Sequence, residues 1–149
     1  MGNDDAAERR RELTERAAYH ADVLRRRSEA ESARAQVLID AFVEQAKRLG
    51  LPTEELTARP WSGTGRYRTG VSGWYLRANR SVGVDVDGRF YVLNVPPVRF
   101  GRWRTVRVEP TPPPLVVGKG AGDGEVFDLD VLLQKRLQWS ESAPGPAPA

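Results

Sequence analysis

The sequence of residues 82–95 is VGVDVDGRFYVLNV, and this stretch decides the fold class. From Val82 onward valine alternates with glycine or aspartate, which is the two-residue period of a β-strand. The pair Asp87-Gly88 follows, and Asp-Gly favours a type I′ turn between two antiparallel strands. The second strand, 89–95, has apolar side chains at both odd and even positions. We therefore predict a hairpin whose second strand is central in a sheet and covered on both faces.

Shorter segments on either side extend this hairpin into a small sheet. Residues 66–76 predict a strand that follows a short polar turn over 53–58. Residues 103–108 predict a further strand, and 115–117 predict a short edge strand. The proline-rich segment 110–114 between them favours an extended crossing. These segments together predict a small antiparallel sheet or a partly closed barrel.

A long helix precedes the strands, because no glycine or proline occurs between Asn3 and Leu49. Asn3 or Asp4 can cap its start, and Gly50 followed by Pro52 ends it. In the second half of this helix, apolar residues recur at the spacing of a stripe that packs on a globular core. The stripe consists of Ala35, Leu38, Ile39, Phe42, Val43, Ala46 and Leu49.

The first half of the helix is charged and has only a short apolar seam. The seam follows heptad-like spacing and consists of Leu13, Ala17, His20 and Leu24. The same register continues into charged residues at 27, 31 and 34, so the seam is two heptads long. We predict that residues 1–34 form an arm that projects or folds back, and that the seam is its surface for coiled-coil pairing.

The remaining segments complete the predicted organisation. A glycine-rich loop over 118–124 precedes a short helix over 128–138, and a Pro/Ala tail over 140–149 is predicted to be disordered. We expect three parts: the arm over 1–34, a folded module over 35–139 and the tail. The predicted fold class is α+β, with a long N-terminal helix packed on the small sheet and a short C-terminal helix.

Composition and motifs exclude several classes of site. The chain has no cysteine, which excludes a disulfide framework, a thiolate zinc site and a cysteine nucleophile. His20 is the only histidine, and the glycine-rich loop lacks the spacing of a phosphate-binding loop. Asp85 and Asp87 resemble a carboxylate pair, but their place at a turn favours hydrogen bonding to the local backbone. We therefore predict no catalytic residue, no cofactor, no metal and no enzymatic activity.

Hydropathy and charge concern location and partners. No apolar stretch approaches the roughly 20 residues of a membrane span, and the start of the chain lacks an apolar signal segment, which predicts a cytoplasmic protein. Between Arg59 and Arg107 there are ten arginines, two aspartates and eight of the twelve aromatic residues. Arginine with exposed aromatic rings is typical of proteins that hold single-stranded nucleic acid. The candidate surface for an anionic ligand consists of Arg66, Arg68, Arg77, Arg102, Arg104, Trp74, Tyr75 and Trp103.

A core explanation of the same pattern stays open, because aromatic residues fill the interior of a small sheet while arginine occupies its wet face. Composition does not separate the two. We predict a non-enzymatic interaction or adaptor protein, in which the arm pairs with itself or with a partner helix and the basic aromatic module recognises something else. The alternative is a protein that binds single-stranded nucleic acid or another polyanion.

Overall fold

In a computed structural model of the chain, one long helix, seven short strands and a C-terminal helix form an α+β fold, as predicted. The structure describes residues 2–118 and 125–142. The elements in chain order are α1 (Gly2–Arg48), β1 (Glu54–Pro60), β2 (Tyr67–Tyr75), β3 (Val82–Asp85), β4 (Phe90–Val92), β5 (Asn94–Val95), a 3₁₀ turn (Gly101–Trp103), β6 (Val116–Val117), β7 (Phe127–Asp128) and α2 (Leu129–Ser142).

Helix α1 is a single helix that ends where the sequence predicts. Gly50 takes the left-handed conformation with φ of 69°, and its N–H donates to the carbonyl of Lys47 at 3.1 Å. The N–H of Leu51 donates to the carbonyl of Ala46 at 2.9 Å. These two bonds are those of a Schellman motif, which uses glycine because a side chain is strained at this φ.

The two halves of α1 have different surroundings. Ala35, Ile39, Phe42, Val43 and Ala46 are buried, which confirms most of the predicted stripe. Leu49 is exposed, because it follows the last helical residue and lies in the closing turn.

Residues 2–30 are exposed apart from partial cover of Asp22 and Val23. The carboxylate of Glu31 accepts a hydrogen bond of 3.0 Å from the backbone N–H of Leu115. The part of α1 that contacts the module therefore begins near Glu31.

Five strands form a curled sheet in the order β4-β3-β2-β1-β5. The first four are antiparallel, as predicted, but β5 is parallel to β1, so the sheet is mixed. Only Leu93 separates β4 from β5, and it bonds both to the residue before β3 and to β1. Its N–H donates to Ser81 at 2.8 Å and its carbonyl accepts from Arg59 at 2.7 Å. The sheet curls for this reason, although the strands in the described part of the chain do not form a closed barrel.

Two predictions about the strands are wrong. Residues 53–58 are not a turn, because β1 occupies them: Leu56, Ala58 and Pro60 point inward in alternation with more exposed residues. The glutamates at the start of the strand masked that alternation. Residues 90–95 are not central either, since β4 is at one edge of the sheet and β5 at the other. The segment nevertheless buries side chains on both faces, Phe90 on one and Tyr91 and Leu93 on the other, while Val92 is 43 % exposed.

The hairpin turn also differs from the predicted type I′. Positive φ occurs at Gly88 (85°) and not at Asp87, and the N–H of Gly88 donates to the carbonyl of Asp85 at 3.1 Å. The Asp85 carboxylate stabilises the turn that forms instead, because its Oδ1 accepts hydrogen bonds from the N–H groups of Asp87 and Arg89, each at 2.9 Å. The predicted local hydrogen bonding of an aspartate is therefore confirmed for Asp85.

The C-terminal segments depart from prediction in smaller ways. Residues 103–108 are not a strand: Trp103 ends the 3₁₀ turn, and in the rest of the segment a single bridge joins Thr105 to Arg68. The predicted strand at 115–117 exists as β6, but it pairs with β7 in a separate two-stranded sheet. The predicted helix is α2, and it extends through Ser142, beyond the predicted start of the tail. The predictions for 119–124 and 143–149 lie outside the described residues.

Two apolar clusters hold the module together. The larger lies between α1, α2 and one face of the sheet, where Phe42 and Trp74 meet edge to face with centroids 5.9 Å apart. The indole N–H of Trp74 donates to the carbonyl of Leu51 at 3.2 Å. The smaller cluster lies inside the curl of the sheet and consists of Leu56, Tyr75, Tyr91 and Leu93. The curl thus explains why aromatic residues are buried on both faces.

Candidate anion-binding cleft

The structure removes three residues from the predicted anionic-ligand surface. Trp74 is 1 % exposed and Tyr75 is also buried, so neither ring can stack on a ligand. Arg77 is buried as well, with its guanidinium over the ring of Phe127 at 5.2 Å and 3.6 Å from the carboxylate of Glu125. The burial of Trp74 and Tyr75 agrees with the core explanation, whereas Arg77 is buried although that explanation places arginine on the wet face of the sheet.

The remaining predicted residues are exposed or half-buried and lie around the start of β2 and in the segment that follows β5. Arg68 is exposed and pairs with the carboxylate of Glu55 at 3.1 Å. Arg102, Trp103 and Arg104 are exposed in the segment that follows β5. Arg66 is half-buried and lines a cleft that sequence reasoning did not find.

This arginine cleft has a volume of about 500 Å³ and contains the side chains of three arginines, Arg59, Arg66 and Arg80. It lies between the end of β1, the β2–β3 turn and the junction of β4 with β5. Every charged residue among those that line it is an arginine. Among the described residues, no carboxylate forms an ion pair with any of the three. Such a cleft favours an anion.

Strand geometry places Arg59 beside Trp61. Both follow Thr57 at two-residue spacing, so the three side chains share one face while Pro60 points inward. The pairing of β1 with β5 fixes this register, because the N–H of Trp61 donates to the carbonyl of Val95 at 2.9 Å. Trp61 is 67 % exposed. A large ring therefore borders the cleft and faces solvent.

Arg66 serves as the support of the cleft. Its Nη2 donates to the carbonyl of Thr57 at 2.6 Å and to the carbonyl of Arg80 at 3.3 Å, and its Nε donates to the hydroxyl of Thr57. The N–H of Thr57 in turn donates to the hydroxyl of Tyr75 at 2.8 Å. The buried Tyr75 thus contributes to the cleft from beneath, although it is not a ligand-stacking ring.

Arg80 has an unusual backbone conformation. Its φ is 60°, in the left-handed region, which costs a non-glycine residue roughly 1–2 kcal/mol. The turn is held by the N–H of Arg80, which donates to the carbonyl of Arg77 at 3.0 Å, and by Asn79, whose side-chain oxygen accepts from the N–H of Ser81 at 3.0 Å. The Arg80 guanidinium lies over the ring of Tyr75 at 5.6 Å. Strain of this kind concentrates at functional positions.

A second basic segment, the aromatic loop of residues 98–104, lies beside the cleft. Phe100 is 60 % exposed and Trp103 is 78 % exposed, with ring centroids 6.1 Å apart. Phe100 also has φ of 60°, and the guanidinium of Arg99 lies 5.1 Å from its ring centroid. The side chain of Arg102 packs over Gly65, where an added Cβ would lie 3.4 Å from its Nε. The loop therefore adjoins residues 61–66 of the cleft wall.

Tyr67 positions the aromatic loop. Its hydroxyl accepts from the N–H of Val98 at 3.2 Å, and Gly101 lies so close that an added Cβ would be 2.8 Å from the ring. The contacts with Tyr67 fix the loop in the conformation in which Phe100 and Trp103 are exposed.

The acidic residues of this part of the chain face elsewhere. Asp85 and Asp87 lie at the hairpin turn, where both approach Arg89. The same turn contacts α1, because the carbonyl of Gly88 accepts from the side chain of Gln36 at 2.8 Å. Both aspartates are therefore engaged at the hairpin turn, and among the described residues neither forms an ion pair with an arginine of the cleft.

The predicted seam lies on the exposed part of α1. Leu13 is 65 % exposed and Leu24 is 64 % exposed, and Ala17 and His20 are exposed with them. The ring of His20 lies edge-on to the ring of Tyr19 at 6.1 Å. No side chain of the module covers these residues, as far as residues 2–118 and 125–142 are concerned.

The described residues contain no group of three or more histidine, aspartate or glutamate side chains placed to hold a metal ion. None of their helices combines the length and the apolar character that crossing a bilayer requires. Comparison with models of protein families, with curated proteins and with solved structures finds no match to this chain.

Proposed function

We propose that the chain is a non-enzymatic interaction protein with two surfaces. The exposed arm, residues 2–30, associates with a second copy or with a partner helix. The arginine cleft and the aromatic loop bind a polyanion. The observation that carries this proposal is the exposed run of 29 residues at the start of α1, which is continuous with the docked half of the same helix.

The arm suits association because it is long and has a seam of its own. Twenty-nine residues at 1.5 Å each extend about 43 Å from the module. Ion pairs along the helix, such as Asp22 with Arg25 at 2.6 Å and with Arg26 at 3.0 Å, support it in water. Each exposed pair contributes only a few tenths of a kcal/mol, so burial of Leu13 and Leu24 against another helix would stabilise the arm further.

Size-exclusion chromatography with light scattering tests the association. We expect a dimer or larger species for the full chain, and a monomer for a variant with Leu13→Glu and Leu24→Glu. Val37→Glu is the matched control, since Val37 is an equally exposed apolar residue of α1 outside the seam. A full-length protein that remains monomeric at its highest attainable concentration would exclude self-association and leave a partner helix as the occupant.

The polyanion surface is supported by the local charge and by the absence of ion pairs at the three arginines of the cleft within the described chain. Retention on a heparin column tests it independently of the arm. We expect retention that decreases with salt, because counterions are released when arginine neutralises a polyanion. Passage of the wild type without retention at low salt would contradict this part of the proposal.

A further inference from the structure

We propose that the arginine cleft binds one nucleotide unit of a single-stranded nucleic acid, with a backbone phosphate on Arg59 and Arg80 and a base stacked on Trp61. This inference rests on the proposed polyanion binding, and it specifies the class of ligand and the residues that bind it.

The phosphate position follows from how the three arginines are held. Arg66 is engaged by backbone and hydroxyl oxygens of Thr57 and Arg80, so it acts as a positioning residue. Arg59 and Arg80 flank it, and neither has a carboxylate partner among the described residues. A guanidinium presents a planar fork of donors that matches phosphate oxygens. Two guanidinium groups that line the same cleft therefore make a site for one phosphate.

The base position follows from the strand. Trp61 lies two residues beyond Arg59 and continues the pairing of β1 with β5, because its N–H donates to the carbonyl of Val95. The two residues are about 6.6 Å apart along an extended chain at 3.3 Å per residue. This separation is on the scale of one nucleotide. The cleft volume of about 500 Å³ also lies within the usual range for bound small groups, about 300–1,000 Å³. A base on Trp61 and its phosphate between Arg59 and Arg80 fit this space.

The aromatic loop extends the site to neighbouring nucleotides. Phe100 and Trp103 are both exposed, and Arg102 joins their loop to the cleft wall at Gly65. Every base has a π-face, so a row of exposed rings beside arginines binds single strands with little sequence preference. Bases paired in a duplex cannot reach such rings. An acidic peptide would use the arginines but would leave three exposed rings without a role.

Backbone strain is an independent observation that points to the same residues. Arg80 and Phe100 are the two non-glycine residues with positive φ in the described chain. Glycine would relieve the strain at both positions, so the fold itself does not require an arginine or a phenylalanine there. One residue supplies a guanidinium to the cleft and the other an exposed ring to the loop.

The experiment measures binding of a fluorescently labelled oligothymidylate by anisotropy over a range of salt concentrations. We expect Arg59→Ala with Arg80→Ala to weaken binding by at least tenfold and to reduce the salt slope by about 0.7, the value for the loss of one phosphate contact on a single strand. Arg9→Ala with Arg10→Ala is the control, because it removes the same charge from the exposed arm. We expect the control to retain the wild-type slope.

A second pair of variants tests stacking. Trp61→Ala should weaken binding by roughly 5- to 150-fold with the salt slope unchanged, and Trp61→Phe should restore part of the loss. Circular dichroism of each variant checks that it is folded. If the double arginine variant loses its fold, Arg80→Gly replaces it, because glycine accepts the backbone conformation at this position.

Four outcomes would overturn the inference. They are equal weakening by the arm control, no effect of Trp61→Ala, binding of a duplex as tight as that of the single strand, and tighter binding of a polyglutamate peptide that depends on Arg59 and Arg80. In each case retention of the wild type on heparin would leave the proposed polyanion binding intact. Loss of heparin retention together with oligonucleotide binding would overturn both.

Discussion

Helix α1 offers a comparison between two isomeric side chains, because Ile39 is fully buried whereas Leu24 is 64 % exposed. Truncation of each to alanine removes the same number of carbon atoms from the same helix. We expect Ile39→Ala to lower the free energy of unfolding several times more than Leu24→Ala does. The difference measures how far the folded module depends on each half of the helix.

The magnitudes follow from burial. Truncation of a fully buried isoleucine lowers the free energy of unfolding by about 2–5 kcal/mol, and the higher helix propensity of alanine offsets a few tenths of a kcal/mol. The expected net loss for Ile39→Ala is therefore about 2–4 kcal/mol. Full burial of a leucine contributes about 1.5–3 kcal/mol, of which roughly one third applies to Leu24. One third of that range is about 0.5–1 kcal/mol, so after a propensity correction of a few tenths the expected loss for Leu24 is about 0.2–0.8 kcal/mol.

Urea denaturation followed by tryptophan fluorescence is a suitable assay, because the buried Trp74 reports on the core that Ile39 joins. The measurement is made at two protein concentrations. A loss for Leu24→Ala that grows with concentration reports association of the arm. A concentration-independent loss above about 1.5 kcal/mol, comparable to that of Ile39→Ala, would refute the reasoning, since Leu24 would then be part of the monomer's core.

Three further variants test individual features. Burial and the hydrogen bond to Asp85 raise the pKa of Tyr91 above its ordinary 10.0, so the folded state holds this proton more tightly than the unfolded state does. That contribution to stability is complete below pH 10 and is lost as the pH rises through the pKa of Tyr91 in the folded state. Tyr91→Phe should therefore lose less stability than the wild type at alkaline pH, as measured by denaturation at a series of pH values. A loss equal to that of the wild type would contradict the assignment. Gly50→Ala should cost about 1–2 kcal/mol in thermal unfolding, because alanine is strained at φ of 69°; a neutral effect would show that the helix ends differently. Arg80→Gly should leave the free energy of unfolding within about 1 kcal/mol of the wild type, because relief of backbone strain offsets the greater entropy of the unfolded chain. Its retention on heparin should fall. A loss of stability above about 2 kcal/mol would mean that the Arg80 side chain, which lies over Tyr75, is structural.

Local signals in the sequence were sufficient for the helices. The end of α1 was predictable because Gly50 and Pro52 act within one turn of the helix, and the docking stripe was predictable because its period matches the helix. The role of Asp85 was also local, since its carboxylate bonds to N–H groups two and four residues onward.

The arrangement of the strands depends on contacts that no local pattern contains. The segment 90–95 has the composition of a central strand because both its faces are covered, yet it lies at the two edges of a sheet that curls onto itself. Strand β1 escaped prediction because Glu54 and Glu55 made its start look like a turn. In each case the tertiary structure, and not the period, decides the position.

The same reason limits prediction of the candidate site. Trp74 and Tyr75 were placed on the ligand surface by composition, but the curl encloses them. Arg59 and Trp61 lie at the end of β1 whereas Arg80 lies in the β2–β3 turn, and they line one cleft because Leu93 bonds to both Arg59 and Ser81. The signal that was present is the two-residue spacing of Arg59 and Trp61 around Pro60, which follows from recognising β1 as a strand.

The place where Leu93 bonds to both Ser81 and Arg59 is also the floor of the arginine cleft. A ligand bound by Arg59 on one wall and Arg80 on the other would span this junction and would oppose its local opening. Occupancy would therefore slow amide exchange at Leu93 by the same factor that it lowers the population of locally opened molecules.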